Sequence, residues 1–294
     1  MSAELLEGRK ISQQIHEETR ARVARLKERG VQPSIIFVRV GEDAPSQTYV
    51  KMKDAKAREL GIASSTLVLP EQTSEAELLQ QLRRLNEDKS VHGVLVQSPL
   101  PAHISEATVF SAVLPEKDVD GFHPVNVGKL LLGNATGFRP CTPAGVHELL
   151  IRGGVVVEGA NVAILGRGNI VGKPMAAILC QKQKHADATV TILHSHSRDI
   201  FEHTKRADIL IAAMGRARFV KADMVKPGAV VVDVGVSRVQ DAQSPKGYRL
   251  SGDVDFDDVS RVASRITPNP GGVGPMTIAM LMSNTVRAAE MQCA

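Results

Sequence analysis

Along most of the chain, short apolar runs of strand length alternate with amphipathic stretches of helical period. Ile11 to Arg29 mixes charges with apolar residues at Ile11, Ile15, Val23 and Leu26, which predicts a helix ended by Gly30. After the break at Pro33, Ser34–Val40 reads as a strand. The loop Gly41–Pro45 leads into a helix from Ser46 or Gln47 to Leu60, closed by Gly61. A second strand, Ser65–Leu69, precedes a helix, Ser74–Asn86, opened by the capping box Ser74-Glu75-Ala76-Glu77. His92–Gln97 is a third strand. Strands alternating with helices predict parallel βαβ units, hence an α/β fold.

Ser98-Pro99-Leu100-Pro101 forms a rigid turn, followed by a short helix near Ser105–Val113, a polar loop Pro115–Pro124 and a short helix over about Val125–Leu132. Gly133–Pro143 is irregular and marks a domain boundary, giving an expected division at 138/139. The alternation then resumes, with strands at Val162–Leu165, Thr189–Leu193, Ile209–Ala212 and Val230–Val234. Helices are expected at Pro174–Lys184 and about Asp199–Lys205, with a turn near Ala222–Val225. The last apolar helix runs from Met276 to Glu290, with Pro275 in its first turn. The expected domains are 1–138 and 139–271, with 272–294 as a separate C-terminal segment.

A chain of 294 residues holds about two such domains. With no Trp and two Tyr, the core must come from Val, Ile, Leu, Ala and Met. The net charge of +4 suits an anionic small molecule. Lys and Arg are scattered rather than striped, so no nucleic-acid partner is expected. Three distant Cys (Cys141, Cys180, Cys293) without a C-x-x-C fit a reducing compartment. The charged N-terminus has no signal-peptide pattern, and no run reaches the roughly 18 apolar residues of a membrane span. A cytoplasmic enzyme is the expectation.

The strand–turn–helix passage around Gly166-Arg167-Gly168-Asn169-Ile170-Val171-Gly172 has the layout of a dinucleotide-binding turn. Its spacing, G-x-G-x-x-x-G, is one residue longer than the usual fingerprint, and a merely structural turn is the alternative. A Walker A reading of Gly172-Lys173 fails, because Arg167 replaces its first Gly and Pro174 its Ser/Thr. After the next strand, His194-Ser195-His196-Ser197-Arg198 contains no carboxylate to hold a ribose 2′-hydroxyl. Arg198 and Arg167 tolerate a 2′-phosphate, so NADP is favoured. No Cys or carboxylate supports His194 and His196 as a metal pair, and no metal is expected.

Four further passages can carry chemistry. Tyr49 and Lys53 share one helix face just past a strand end, where a lysine of lowered pKa serves proton transfer; a solvated basic helix is the alternative. Gln97 ends a buried strand and can orient a carbonyl or amide, or merely close the strand. Asp118 and Asp120 lie two apart in a loop, without the further ligands of a calcium site; they can bond a heterocycle or simply shape a turn. Finally, Thr267–Thr277, rich in Gly and Pro, can line a cleft or act as a hinge.

Taken together and in this order, these stretches resemble the bifunctional methylenetetrahydrofolate dehydrogenase/cyclohydrolase (FolD-type) family. The likeness also takes in Val96–Pro101, Pro115–Phe122, Pro140-Cys141-Thr142-Pro143, Asp233-Val234-Gly235-Val236, Gly252–Phe256 and Pro270–Thr277. The resemblance implies oxidation of 5,10-methylenetetrahydrofolate by NADP, then hydrolysis of the methenyl product to 10-formyltetrahydrofolate, in one-carbon metabolism and purine biosynthesis. It implies an N-terminal three-layer α/β catalytic domain, a C-terminal Rossmann-like NADP domain and a last helix that returns to the first domain. It implies that Lys53 is the central catalytic residue, aided by Tyr49, Gln97 and Asp120, with Pro99, Gly272 and Pro275 also at the folate. It implies NADP contacts from Thr142, Gly166, Arg167, Gly168, His194, Ser195, Ala213, Val236, Gly274 and Thr277. A homodimer acting on polyglutamylated folates is the expected assembly.

The sequence departs from the family pattern at Gly168, where a Ser is usual, at Ala217, where a Pro is usual, and at Asn269. Three rival readings weigh less. Short-chain dehydrogenases place Tyr-x3-Lys after the glycine turn, not before it. A shikimate- or amino-acid-dehydrogenase-like enzyme leaves Gln97 and the Asp118/Asp120 loop unexplained. A non-enzymatic nucleotide-sensing or nucleic-acid module leaves Lys53, Tyr49 and Gln97 without purpose.

Overall fold

The computed structural model describes residues 2–241, 244 and 247–293, so Met1 and Ala294, the outer limits of the expected domains, lie outside it. In chain order the first elements are β1 (Glu4–Leu5), α1 (Gly8–Glu28), β2 (Ser34–Val40), α2 (Ala44–Glu59), β3 (Ala63–Leu69), α3 (Glu75–Glu87), β4 (Gly93–Val96), α4 (Glu106–Ala112), α5 (Pro124–Leu131) and α6 (Cys141–Arg152). Then come β5 (Asn161–Leu165), α7 (Gly172–Leu179), β6 (Thr189–Leu193), α8 (Ile200–Arg206), β7 (Ile209–Ala212), β8 (Val230–Asp233), β9 (Ser237–Gln240), β10 (Tyr248–Ser251), α9 (Phe256–Val259), β11 (Arg265–Ile266) and α10 (Val273–Gln292). Two compact units result. One, the N-terminal unit, comprises Gln13–Cys141 and the chain from Ile278 onward. The other, the glycine-turn unit, comprises Thr142–Thr277 and the chain up to Ser12.

The N-terminal unit is built on a three-stranded parallel sheet in the order β3-β2-β4. Side chains alternate across β2, so both faces must be covered. Ile35 and Phe37 join Val50 and Ala57 of α2, Leu60 just past its end, and Val23 and Leu26 of α1 in one buried cluster. Val38 and Val40 join Leu78 and Leu82 of α3 and Val109 of α4 in another. These are three layers, helix–sheet–helix. The C-terminal helix α10 returns to this unit: Leu281, Met282, Val286, Ala288 and Ala289 lie in the same cluster as Ile35 and Phe37. Arg22 of α1 reinforces the docking with two hydrogen bonds to the Glu290 carboxylate, at 3.0 and 2.7 Å.

The glycine-turn unit has a six-stranded parallel sheet in the order β1-β11-β8-β7-β5-β6. From β5 the chain moves one way to β6, then crosses to the other side of β5 for β7. Strand order thus reverses between β5 and β7, and in open parallel sheets that switch point, at the carboxyl ends of the strands, is where ligands bind. β9 and β10 form a separate antiparallel hairpin.

Several elements differ from the sequence expectation. α7 stops at Leu179, not Lys184, because Gln181-Lys182-Gln183-Lys184 offers no apolar face to bury. α6 begins at Cys141, inside the Gly133–Pro143 stretch expected to be irregular, and continues to Arg152, where no helix was expected; Pro143 is tolerated because it falls in the first turn. β1 and β11 have only two residues each and carry no periodic signal. Among the described residues no helix is long and apolar enough to cross a membrane.

His16 on α1 is buried, and its Nδ1 has no partner among the described residues. Burial, helped by Lys56, lowers its pKa to about 4. The unfolded chain, with an ordinary histidine, takes up this proton near pH 6.5 and the folded chain only near 4. His16 therefore costs no stability above pH 6.5 and destabilises the fold progressively as pH falls to 4. Denaturant titrations should show His16→Leu losing less stability than the native chain over that interval. Equal losses in both proteins would show that His16 does not contribute.

Candidate active site

Lys53 projects from α2, the helix that leaves the carboxyl end of β2. Asp43 caps the start of this helix by accepting the Ser46 N–H at 2.9 Å. One helical turn separates Tyr49 from Lys53, and the lysine Nζ lies 4.5 Å from the centre of the tyrosine ring. β4 pairs with β2, which brings Gln97, just past its end, to the same edge. The Gln97 amide donates to Ser98 O at 2.6 Å, leaving its Oε1 to accept from Lys53 Nζ at 3.0 Å. Lys53 is only 5% exposed. Burial pushes its ammonium below the usual lysine value, opposed by the negative charge of Asp120. The tyrosine face also favours the cation, so burial, not the phenol, is what makes this lysine a base.

The two loop aspartates part company. Asp118 is buried and turns inward, accepting N–H bonds from Gly121, Phe122 and His123, the last at 2.8 Å, and from the Asn126 amide at 2.8 Å. Its carboxylate is spent on shaping the loop. Asp120 keeps an accessible face and is coupled to Lys53. Burial raises its pKa, and the lysine charge pulls it back. Pro99, next to Gln97, is exposed.

In the other unit, Gly166 ends β5 at the switch point. Its φ is +124°, and a Cβ there would collide with the carbonyl of Ala213, just past β7. Only glycine permits this approach. Gly172 is likewise fixed, packed against the Gly166 carbonyl. Gly168 is different: it is exposed, has ordinary φ and has open space where a Cβ would stand. Nothing in the fold requires glycine there. The first turn of α7 has no side-chain cap bond; the Lys173 N–H donates to Gly168 O at 3.1 Å, the Met175 N–H donates to Val171 O at 2.8 Å, and Pro174 has no N–H to give.

At the end of β6, the Ser197 hydroxyl accepts the His194 N–H at 2.9 Å, and His194 Nδ1 accepts the His196 N–H at 3.2 Å. That bond leaves the proton of neutral His194 on Nε2. Desolvation, then Arg167 and His196, lowers the His194 pKa, so the arginine of the glycine turn and this histidine sense each other. Ser195 and Arg167 are exposed beside them. Two close-packed glycines and a carboxylate-free strand end, with Arg167 exposed beside them, fit a phosphorylated dinucleotide. Elsewhere in this unit, Thr142 and Thr277 meet hydroxyl to hydroxyl at 3.0 Å. Val236 and Gly274 are exposed, Pro275 is half-buried and Gly272 is buried against Thr267 and Pro268.

The family models for the two domains match in the order of these sites. The tetrahydrofolate dehydrogenase/cyclohydrolase catalytic domain matches residues 6–120, and the NAD(P)-binding domain of the same enzymes matches residues 140–293. The chain belongs to the tetrahydrofolate dehydrogenase/cyclohydrolase family. The "Bifunctional protein FolD" of Syntrophus aciditrophicus (strain SB) is 52% identical over 291 residues, 99% of each chain. The crystal structure of the bifunctional FolD enzyme from Campylobacter jejuni is 45% identical, with a TM-score of 0.93 over 99% of each chain. A Trypanosoma brucei FolD structure, complexed with NADP cofactor and inhibitor, is 38% identical, with a TM-score of 0.94 over 100% of this chain and 99% of the other.

Two residues of this tetrahydrofolate dehydrogenase/cyclohydrolase join the Lys53 cluster without having been singled out from the sequence. Cys141, buried beside the charge of Asp120, donates its thiol to Val119 O at 3.3 Å. Burial pushes its thiol well above the usual range, so it stays a donor. Asn284 of α10 donates to Val119 O at 2.9 Å and Arg139 O at 3.2 Å. No local pattern marked Asn284, one of several polar residues of α10, and Cys141 carried no signal beyond its place in Pro140–Pro143.

Proposed function

We propose that the protein oxidises 5,10-methylenetetrahydrofolate to 5,10-methenyltetrahydrofolate with NADP, then hydrolyses the product to 10-formyltetrahydrofolate. The observation that carries this reading is the buried Lys53, held by Gln97 and coupled to Asp120, in a chain whose other unit has the glycine turn. Bound at that turn, NADP supplies the hydride acceptor.

The residues divide the work. Asp120 accepts hydrogen bonds from the pterin, and Tyr49 stacks beside it. Gln97 orients the reacting centre and fixes the Lys53 amine. Lys53, its charged form disfavoured by burial, takes a proton from the water that attacks the methenyl carbon; ring opening then gives the formyl group. Pro99, Gly272 and Pro275 line the folate. Thr142, Gly166, Arg167, Gly168, His194, Ser195, Ala213, Val236, Gly274 and Thr277 hold NADP. With no serine at position 168, Arg167 is the side chain of the turn that would hold the phosphate. Residues 1–138 serve as the folate domain, 139–271 as the NADP domain, and 272–294 as the segment completing the former. We place the enzyme in the cytoplasm as a homodimer acting on polyglutamylated folates, in one-carbon metabolism that feeds purine biosynthesis.

The test is to mix protein and methylenetetrahydrofolate with NADP or NAD and follow reduced-nicotinamide absorbance. Faster reduction of NADP is expected. No reduction of either cofactor would overturn the oxidative step; preference for NAD would overturn the cofactor assignment alone.

A further inference from the structure

Two sequence motifs have no role in the chemistry above, Asp233-Val234-Gly235 and Gly252-Asp253-Val254. Each aspartate sits on the glycine of the other motif. A Cβ on Gly252 would collide with the Asp233 carboxylate, and one on Gly235 with the Asp253 carboxylate. Asp233 Oδ1 accepts the N–H groups of Gly235 at 3.0 Å and Asp253 at 2.9 Å, and its Oδ2 accepts that of Val254 at 3.2 Å. Asn269 locks the same corner by donating to Gly235 O at 2.8 Å.

Asp253, fully buried, reaches beyond the latch. Its Oδ2 accepts the backbone N–H groups of Met214 at 2.7 Å and Gly215 at 2.9 Å. These two residues directly follow Ala213, whose carbonyl lies against Gly166 and whose N–H donates to Leu165 O at 2.8 Å. The other oxygen, Oδ1, has no hydrogen-bond partner among the described residues. A buried carboxylate with a wholly unsatisfied oxygen is costly, and packing alone would be served better by an apolar residue. What the carboxylate provides is one oxygen bonded to two consecutive N–H groups, an arrangement that fixes the backbone of the loop leaving β7.

We propose that Asp253 is a positioning residue for the dinucleotide: through Met214 and Gly215 it sets the loop that forms the second wall of the glycine turn. This rests on the NADP reading above. Asp253 touches neither folate nor the Lys53 cluster, so its loss should weaken cofactor binding and spare the hydrolytic step.

The experiment is calorimetric titration of NADP into the native protein, Asp253→Ala and Asp253→Asn, with methenyl hydrolysis measured on each without NADP. Asp253→Ala should raise the NADP Kd by roughly tenfold or more, since both N–H groups lose their acceptor. Asp253→Asn, which keeps one acceptor oxygen, should raise it about threefold. Hydrolysis should stay within about twofold of the native rate in the asparagine variant. An unchanged Kd in Asp253→Asn and Asp253→Ala would overturn the positioning role, as would parallel loss of binding and hydrolysis in Asp253→Asn, which would make the residue purely structural. If the native protein itself binds no NADP, the cofactor reading fails, and the positioning role with it.

Discussion

Lys53→Met is expected to slow methenyl hydrolysis by about 10²–10⁴-fold, the usual contribution of a positioned acid–base group, without loss of fold. Methionine matches the length of the lysine stem and leaves the packing of α2 nearly intact. It removes the amine that Gln97 holds, so no group of the right basicity remains beside Asp120. Stability should not fall. The lysine pKa is lowered in the fold, so the chain gains nothing from the charge and bears a cost that grows as pH drops below the unfolded value of 10.5. The variant is relieved of that cost. The same lowering predicts that native hydrolysis rises with pH until Lys53 is neutral, below the range of an ordinary lysine. Circular dichroism and a thermal melt beside the hydrolysis assay check all three statements; native hydrolysis in a folded variant would remove Lys53 from the mechanism.

Ending the chain at Pro270 is expected to unfold the N-terminal unit, although every strand of its sheet is still present. Leu281, Met282 and Val286 are at most 1% exposed and sit against Ile35 and Phe37. Burying three such side chains contributes roughly 5–9 kcal/mol, comparable to the whole stability of a domain. The truncation also deprives the Val119 and Arg139 carbonyls of Asn284, next to the Asp120 loop. Hydrogen exchange should show loss of protection in the amides of β2 and β4. Protection as in the full chain would mean that α10 is an accessory rather than part of the core. Leu281→Ala, a milder change, should cost about 2–5 kcal/mol.

Much of this architecture is legible in the sequence where central strands are buried on both faces and read as apolar runs. Ile35–Val38 and Val230–Val232 are of this kind. The β9–β10 hairpin was not legible: Ser237 to Gln240 alternates half-buried and exposed residues, with nothing to distinguish it from a loop. The site shows the same contrast. Tyr49 and Lys53 are joined by helix geometry, so spacing sufficed. Asp118 and Asp120 are identical residues two apart, and only the path of the loop makes one a scaffold and the other a neighbour of Lys53. Cys141 and Asn284 come to Asp120 from distant parts of the chain, and no local pattern records that. The off-spaced glycine turn became interpretable once strand order put Gly166 against Ala213. Gly168, by contrast, answers to no packing demand.

The passage of one carbon from methylene through methenyl to formyl gives a hydride to NADP and then takes oxygen from water. It is tested most directly by supplying methylenetetrahydrofolate with both methylene hydrogens replaced by deuterium and weighing the products. One deuterium should appear in the reduced cofactor and one should remain on the formyl carbon of 10-formyltetrahydrofolate. Reduced cofactor without deuterium, or both deuterons still on the folate, would rule out hydride transfer from the methylene carbon to NADP.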